Sequence, residues 1–150
     1  MRLKLLVGSG DKIGLFVLPF VISGLASSFL FPSLFAIPRL AALMVVGSAL
    51  LVLGLLIWAW SVALILTQVP KGRLITSGPY ALVKHPLYTG VALLLLPGLG
   101  CVLGTWLGLL FGAVLYIGSR LFAPEEEHAL ARTYGTDWDK YARTVRMSWL

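Results

Sequence analysis

Taken as a run of apolar and polar positions, the chain alternates long apolar blocks with short polar joints. From Ile13 to Val69 the only charged side chain is Arg39, and from Pro86 to Ser119 there is none. Apolar runs well past 18 residues correspond to membrane spans, because a hydrocarbon core of ~30 Å takes about 20 helical residues. A soluble core helix would carry a polar face at every turn, and these blocks carry none. The breaks predict four spans, at about 13–31, 40–67, 86–101 and 103–122. Pro32 closes the first, and the second opens after Pro38. The second span is about 42 Å long at 1.5 Å per residue. That exceeds the hydrocarbon thickness, so it tilts or protrudes.

The apolar stretch Leu87 to Phe122 is too long for one span and barely long enough for two. It reads as a tight helical hairpin, with its turn in "LLLLPGLGCVLG" or, if Pro97 is only a kink, nearer Gly104. Gly104, Gly108 and Gly112 recur every four residues, a small-residue row that lets helices pack closely in lipid. Beyond Phe122 the tail, 123–150, predicts two short cytoplasmic helices. In "APEEEHALARTYG", Pro124 suits the first helical position, three glutamates fill the first turn, and Gly135 suits a C-terminal cap. Thr136 and Asp139 have capping-box spacing for a second helix. Its Trp138, Tyr141 and Val145 share one face, suited to the headgroup region. The expectation is an all-α polytopic membrane protein forming one domain over 1–150.

Composition sharpens this picture. Hydrophobic residues make up 59% of the chain and charged residues 12%, against about 25% charged in soluble domains. The start of the chain resembles a signal peptide, but its apolar stretch exceeds the usual 7–15 residues, so a retained first span is expected. The net charge of +6 calls for no nucleic acid, since cytoplasmic loops collect Lys and Arg. With four crossings, every basic residue except Arg39 falls on the side of the two termini. Both termini are therefore expected in the cytoplasm, together with loop 68–85 and the tail. The small size points to a prokaryotic plasma membrane. The lone Cys101 excludes an intrachain disulfide framework, no cluster has metal-ligand spacing, and no metal is expected. The first two spans hold no deep ionisable residue, which argues against a transporter.

Against this background "GPYALVKHPLYTG", residues 78–90, gathers a lysine, a histidine and two tyrosines. Taken singly each has an ordinary explanation: an interfacial histidine, aromatic-belt tyrosines, a positive-inside lysine, and glutamates complementing a helix dipole. Taken together they form two ordered motifs. Gly78, Pro79, Tyr80, Lys84, His85, Pro86, Tyr88 and Gly90 make the first. Glu126, Glu127, Leu130, Tyr134, Gly135, Trp138 and Tyr141 make the second. The pair, spread over roughly 68–146, resembles the isoprenylcysteine carboxyl methyltransferase family.

The resemblance implies a membrane-embedded methyltransferase using S-adenosyl-L-methionine. Its cofactor pocket would be formed on the cytoplasmic side by the last two spans and the tail. Carried over by position, Tyr80, His85, Pro86, Leu87, Tyr88 and Glu126 would meet the cofactor. Gly72, Arg73, Leu74 and Ile75 would flank it. Lys84, Arg120 and Glu127 would face a lipophilic or lipidated acceptor entering from the bilayer, Arg120 binding it. A carboxylate such as Glu126 suits ribose hydroxyls or an ammonium group, and aromatic faces suit adenine. An amine acceptor would first lose a proton, relayed by His85 or Glu127. Two departures weaken a carboxylate acceptor. Lys84 replaces the usual arginine and loses its bidentate fork, and Phe122 stands where family members tend to carry an arginine. The rivals are an NAD(P)H-dependent membrane reductase of the sterol-reductase type and a non-catalytic membrane scaffold. The first would call for more arginines near the loop to hold an extra phosphate.

Overall fold

The computed structural model describes residues 10–147. Arg2 and Lys4 of the charge asymmetry, and the last three residues of the tail, lie outside the described residues. Four helices are long and apolar enough to cross a membrane. They are α1 (Gly10–Leu30), α3 (Ala41–Gln68), α4 (Pro86–Leu103) and α5 (Leu107–Tyr134). A short α2 (Pro32–Phe35) joins α1 to α3, and α6 (Thr136–Thr144) follows α5. No strand occurs among the described residues; one isolated bridge pairs Ala36 with Thr105. Large apolar side chains such as Leu15, Phe29, Leu56 and Leu121 point outward, as expected where lipid is the solvent and only backbone polar groups need internal partners.

The centre of the bundle is backbone packed on backbone. α4 turns into α5 at Gly104, which sits at φ 72°, a left-handed conformation that glycine adopts without steric cost. Four residues on, a Cβ at Gly108 would run into the carbonyl oxygen of Leu96 and lie 2.7 Å from the Cα of Gly100. α3 crosses α4 as closely, a Cβ at Gly98 falling 2.6 Å from the amide of Leu51. At this end the turn is tied to the α2 segment. The Trp106 indole donates to the carbonyl of Leu34 at 2.8 Å, and the Arg39 guanidinium donates to that of Leu103 at 3.2 Å.

Of the two turn positions open to the hairpin, the structure takes the one at Gly104, and three other sequence expectations need correcting. Pro97 lies within α4, two residues past the end of a π-helical stretch, Val91–Leu95. Such widened turns accommodate a break in the regular hydrogen-bond ladder. Residues 123–134 are not a separate capped helix, because α5 runs unbroken through Pro124. One missing bond is a small loss to a helix already propagating from the membrane. Thr136 and Asp139 form no capping box: Gly135 is the N-cap and no side chain caps the helix. The apolar face of α6 also does not meet headgroups. Trp138, Tyr141 and Val145 pack on Leu74, Leu130 and Tyr134.

Chain direction then places the site. The start of α1, the end of α3, the start of α4 and the polar end of α5 all lie opposite the Gly104 turn.

Candidate functional site

The joint between α3 and α4 is built from two tight turns, Val69–Lys71 and Gly78–Ala81, with Gly72 and Gly78 at positive φ. It ends at His85, the N-cap of α4, with Pro86 as first helical residue, where its missing N–H is harmless. The segment is two-faced. Pro79, Val83, Pro86 and Gly90 turn toward Ile57 and Trp60 of α3, lining an apolar groove of about 490 Å³. Tyr80, Lys84, His85, Leu87 and Tyr88 turn the other way and line a cavity of about 300 Å³, at the low end of small-molecule sites.

Four more elements close that cavity. α1 contributes Gly10, the end of α3 Ile65, α5 Glu126, Leu130 and Tyr134, and α6 Trp138 and Tyr141. Arg73, Leu74 and Ile75 complete the wall. The two walls are joined directly. The Tyr141 hydroxyl donates to the backbone carbonyl of Tyr80 at 2.9 Å, and the amide of Met147 donates to that of Leu82 at 2.9 Å. Burial, reinforced by the charge of Glu126, raises the pKa of the Tyr80 hydroxyl. Burial and then Glu127 do the same for Tyr141. Both therefore stay neutral donors at physiological pH. Tyr141→Phe should lower stability by about 1 kcal/mol, the usual worth of one hydrogen bond, read as a fall in thermal midpoint in detergent.

Behind the wall, Lys84 Nζ donates to Glu127 Oε2 at 2.8 Å, and His85 Nε2 lies 3.3 Å from Glu127 Oε1. Glu127 belongs to the polar end of α5, past the apolar span. The hydrogen bond with His85, opposed by burial and reinforced by Lys84, holds its carboxyl below the usual carboxylate range. A carboxyl lowered on folding stabilises above its unfolded pKa of about 4.3. That contribution disappears as pH falls through the lowered folded value. Acidification should therefore depress the thermal midpoint of the wild type more steeply than that of Glu127→Gln.

The structure gathers most of the residues singled out from sequence. Arg73, Leu74, Ile75, Tyr80, Lys84, His85, Leu87, Tyr88 and Glu126 all line the cavity. Pro86 faces the groove instead, Gly72 is an exposed turn residue, and Arg120 is exposed and outside the lining. Glu127 touches the wall from behind. Sequence reasoning missed Gly10, Ile65, Val69, Leu130, Tyr134, Trp138 and Tyr141 as lining residues. The last four stand in the second motif, so a signal existed; the first three are small or apolar positions with none.

These side chains suit a cofactor that is part apolar ring, part hydroxyl and part charge. Trp138, Tyr134, Leu74 and Leu130 offer ring faces and apolar surface, Tyr80 and Tyr88 hydroxyls, Glu126 a carboxylate and Arg73 a cation. Among the described residues no group of His, Cys, Asp and Glu could hold a metal ion. The family model described as isoprenylcysteine carboxyl methyltransferase (ICMT) family matches residues 40–132, more than half of the chain. No curated protein and no solved structure matches.

Proposed function

We propose, from the premise that this chain belongs to the isoprenylcysteine carboxyl methyltransferase family of membrane methyltransferases, that it methylates a lipophilic acceptor with S-adenosyl-L-methionine. The observation that carries this is the cavity where two sequence-distant motifs meet, one from the α3–α4 joint and one from α5 and α6. Glu126 would hold hydroxyl or ammonium groups, Arg73 a carboxylate, and the rings of Trp138 and Tyr134 the adenine. When bound, the cofactor would supply a methyl group from a sulfonium centre.

The protein's part is positioning, since a displacement needs its reacting atoms in line. The Tyr141–Tyr80 and Met147–Leu82 bonds hold the two walls at a fixed separation. The apolar spans bring a lipid-soluble acceptor to the rim, and the wall of Leu74, Ile75, Leu87 and Leu130 keeps water out. The charge asymmetry of the loops supports a cytoplasmic cavity.

Isothermal titration with S-adenosyl-L-methionine and, separately, NADPH tests the reading. Saturable binding of the first alone is expected, weakened at least ~10-fold in Glu126→Gln by loss of a charge-assisted bond. Binding of NADPH alone would support the reductase. Binding of neither, with no methyl label entering a lipid extract, would leave the scaffold.

A further inference from the structure

Glu127 and Glu126 are neighbours in sequence but serve different places. The helical step of α5 turns Glu126 into the cavity and Glu127 behind its wall. There both oxygens of Glu127 are engaged, Oε2 by Lys84 and Oε1 by His85. The three side chains are shielded, at 14% exposure for Lys84, 9% for His85 and 27% for Glu127.

Two consequences follow for an acceptor that reaches the rim of this cavity. The first concerns charge. Among the described residues the cation lining the cavity away from solvent is Lys84, and Glu127 already neutralises it. Arg73 stands exposed at the rim, and Arg120 lies outside the lining. The Phe122 ring packs edge-on against Phe16 of α1 at 6.1 Å. Among the described residues, a carboxylate acceptor therefore finds no unneutralised buried cation in this lining.

The second concerns the proton. In the neutral ring, a carboxylate on Nε2 places the hydrogen on that nitrogen and leaves Nδ1 as the acceptor. A carboxylate behind an imidazole also fixes the ring's orientation. His85 itself lines the cavity, so a proton acceptor oriented by a second group stands at its wall.

We propose that the methyl acceptor is a nucleophile carrying a dissociable proton, a lipophilic thiol or amine, with His85 as its proton acceptor and Glu127 as the positioning residue. The proposal rests on the methyltransferase reading above. The heteroatom–hydrogen bond of the acceptor breaks, and its electron pair stays on the heteroatom for the new bond to carbon. The proton goes to Nδ1 of His85. Glu127 stabilises the imidazolium so formed, which then releases its proton to water. A carboxylate acceptor, already ionised, needs none of this machinery. The other titratable and charged groups around the cavity are Lys84 beside His85, Arg73 and Tyr80 in the joint, Tyr88 on α4, Glu126 and Tyr134 on α5 and Tyr141 on α6, with the charge of Asp11 of α1 reaching Tyr88. α3 brings none, meeting the cavity through Ile65.

The test uses the full chain in nanodiscs with labelled S-adenosyl-L-methionine and three probes of equal chain length: dodecanethiol, dodecylamine and dodecanoate. Label is expected in the thiol or the amine and not in dodecanoate, at a rate that falls on acidification. His85→Gln should lower kcat about 100-fold, within the range for losing a general base. Nitrogen NMR of histidine-labelled protein supplies a readout independent of turnover. The chain has two histidines, so His128→Gln assigns the signals. The Nε2–H tautomer is expected at His85 in the wild type and its loss in Glu127→Gln, with cofactor affinity unchanged in that variant and the acid limb of its rate profile displaced. If the cofactor binds but dodecanoate is the preferred acceptor, or no thiol or amine is labelled, this proposal alone is overturned. The same holds if Glu127→Gln keeps the wild-type tautomer and pH profile. Absence of cofactor binding overturns the methyltransferase reading and this proposal with it.

Discussion

Gly108→Leu is expected to prevent the α4–α5 hairpin from closing. The first added carbon would meet the carbonyl oxygen of Leu96 and the Cα and amide of Gly100. All of these are backbone, so no rotamer change can make room, and the two helices must separate along their length. Overpacking a core usually costs 1–3 kcal/mol, and a backbone clash at the centre of the bundle should reach at least the top of that range, about 3 kcal/mol. Little folded protein should survive detergent extraction, read as loss of the monodisperse chromatographic peak. Gly14→Ala is the matched control. Nothing lies within 4 Å of its added Cβ, and alanine is the better helix former by about 1 kcal/mol. That variant should fold at least as well as the wild type.

Trp138→Ala should undock α6 from the rest while leaving the spans in place. α6 has nine residues, too few to hold helical form alone. What keeps it folded is the cluster of Trp138, Tyr141 and Val145 on Leu74, Leu130 and Tyr134. Trp138 is 6% exposed and is also part of the cavity wall. Truncating a buried tryptophan costs roughly 3–5 kcal/mol, enough to undock the helix locally. Trypsin should then cut rapidly at Lys140 and Arg143, and cofactor affinity should fall by more than ~10-fold for a loss above 1.4 kcal/mol. Intact membrane-embedded fragments would mark the spans as unaffected. A variant that resists trypsin and binds cofactor normally would remove α6 from the site.

The spans were legible because lipid imposes one rule on every turn of a crossing helix, and a chain obeying it shows no polar face. Helix ends were less legible. Pro97 and Pro124 are both breakers by local chemistry, yet the π-helical turns before the first and the long helix feeding the second carry the chain through. Neither circumstance leaves a periodicity to read. The glutamate run is the sharpest case. Glu125, Glu126 and Glu127 are identical in composition, but successive helical steps pair Glu125 with Lys12 of α1, turn Glu126 into the cavity and give Glu127 to Lys84 and His85. Motif spacing located the group; only the rotation of α5 about its own axis distributes the three roles. The family match over 40–132 likewise stops short of α1 and α6, which supply Gly10, Trp138 and Tyr141 to the cavity.

In the proposed enzyme the α3–α4 joint and the α5–α6 tail enclose one molecule of cofactor. Photolabelling of the full chain with an azido-adenosyl analogue of S-adenosyl-L-methionine, followed by peptide mapping, tests it most directly. Saturable label, displaced by unmodified cofactor, is expected on peptides from both 73–88 and 126–141. Displaceable label confined to one of these segments, or to neither, would contradict it.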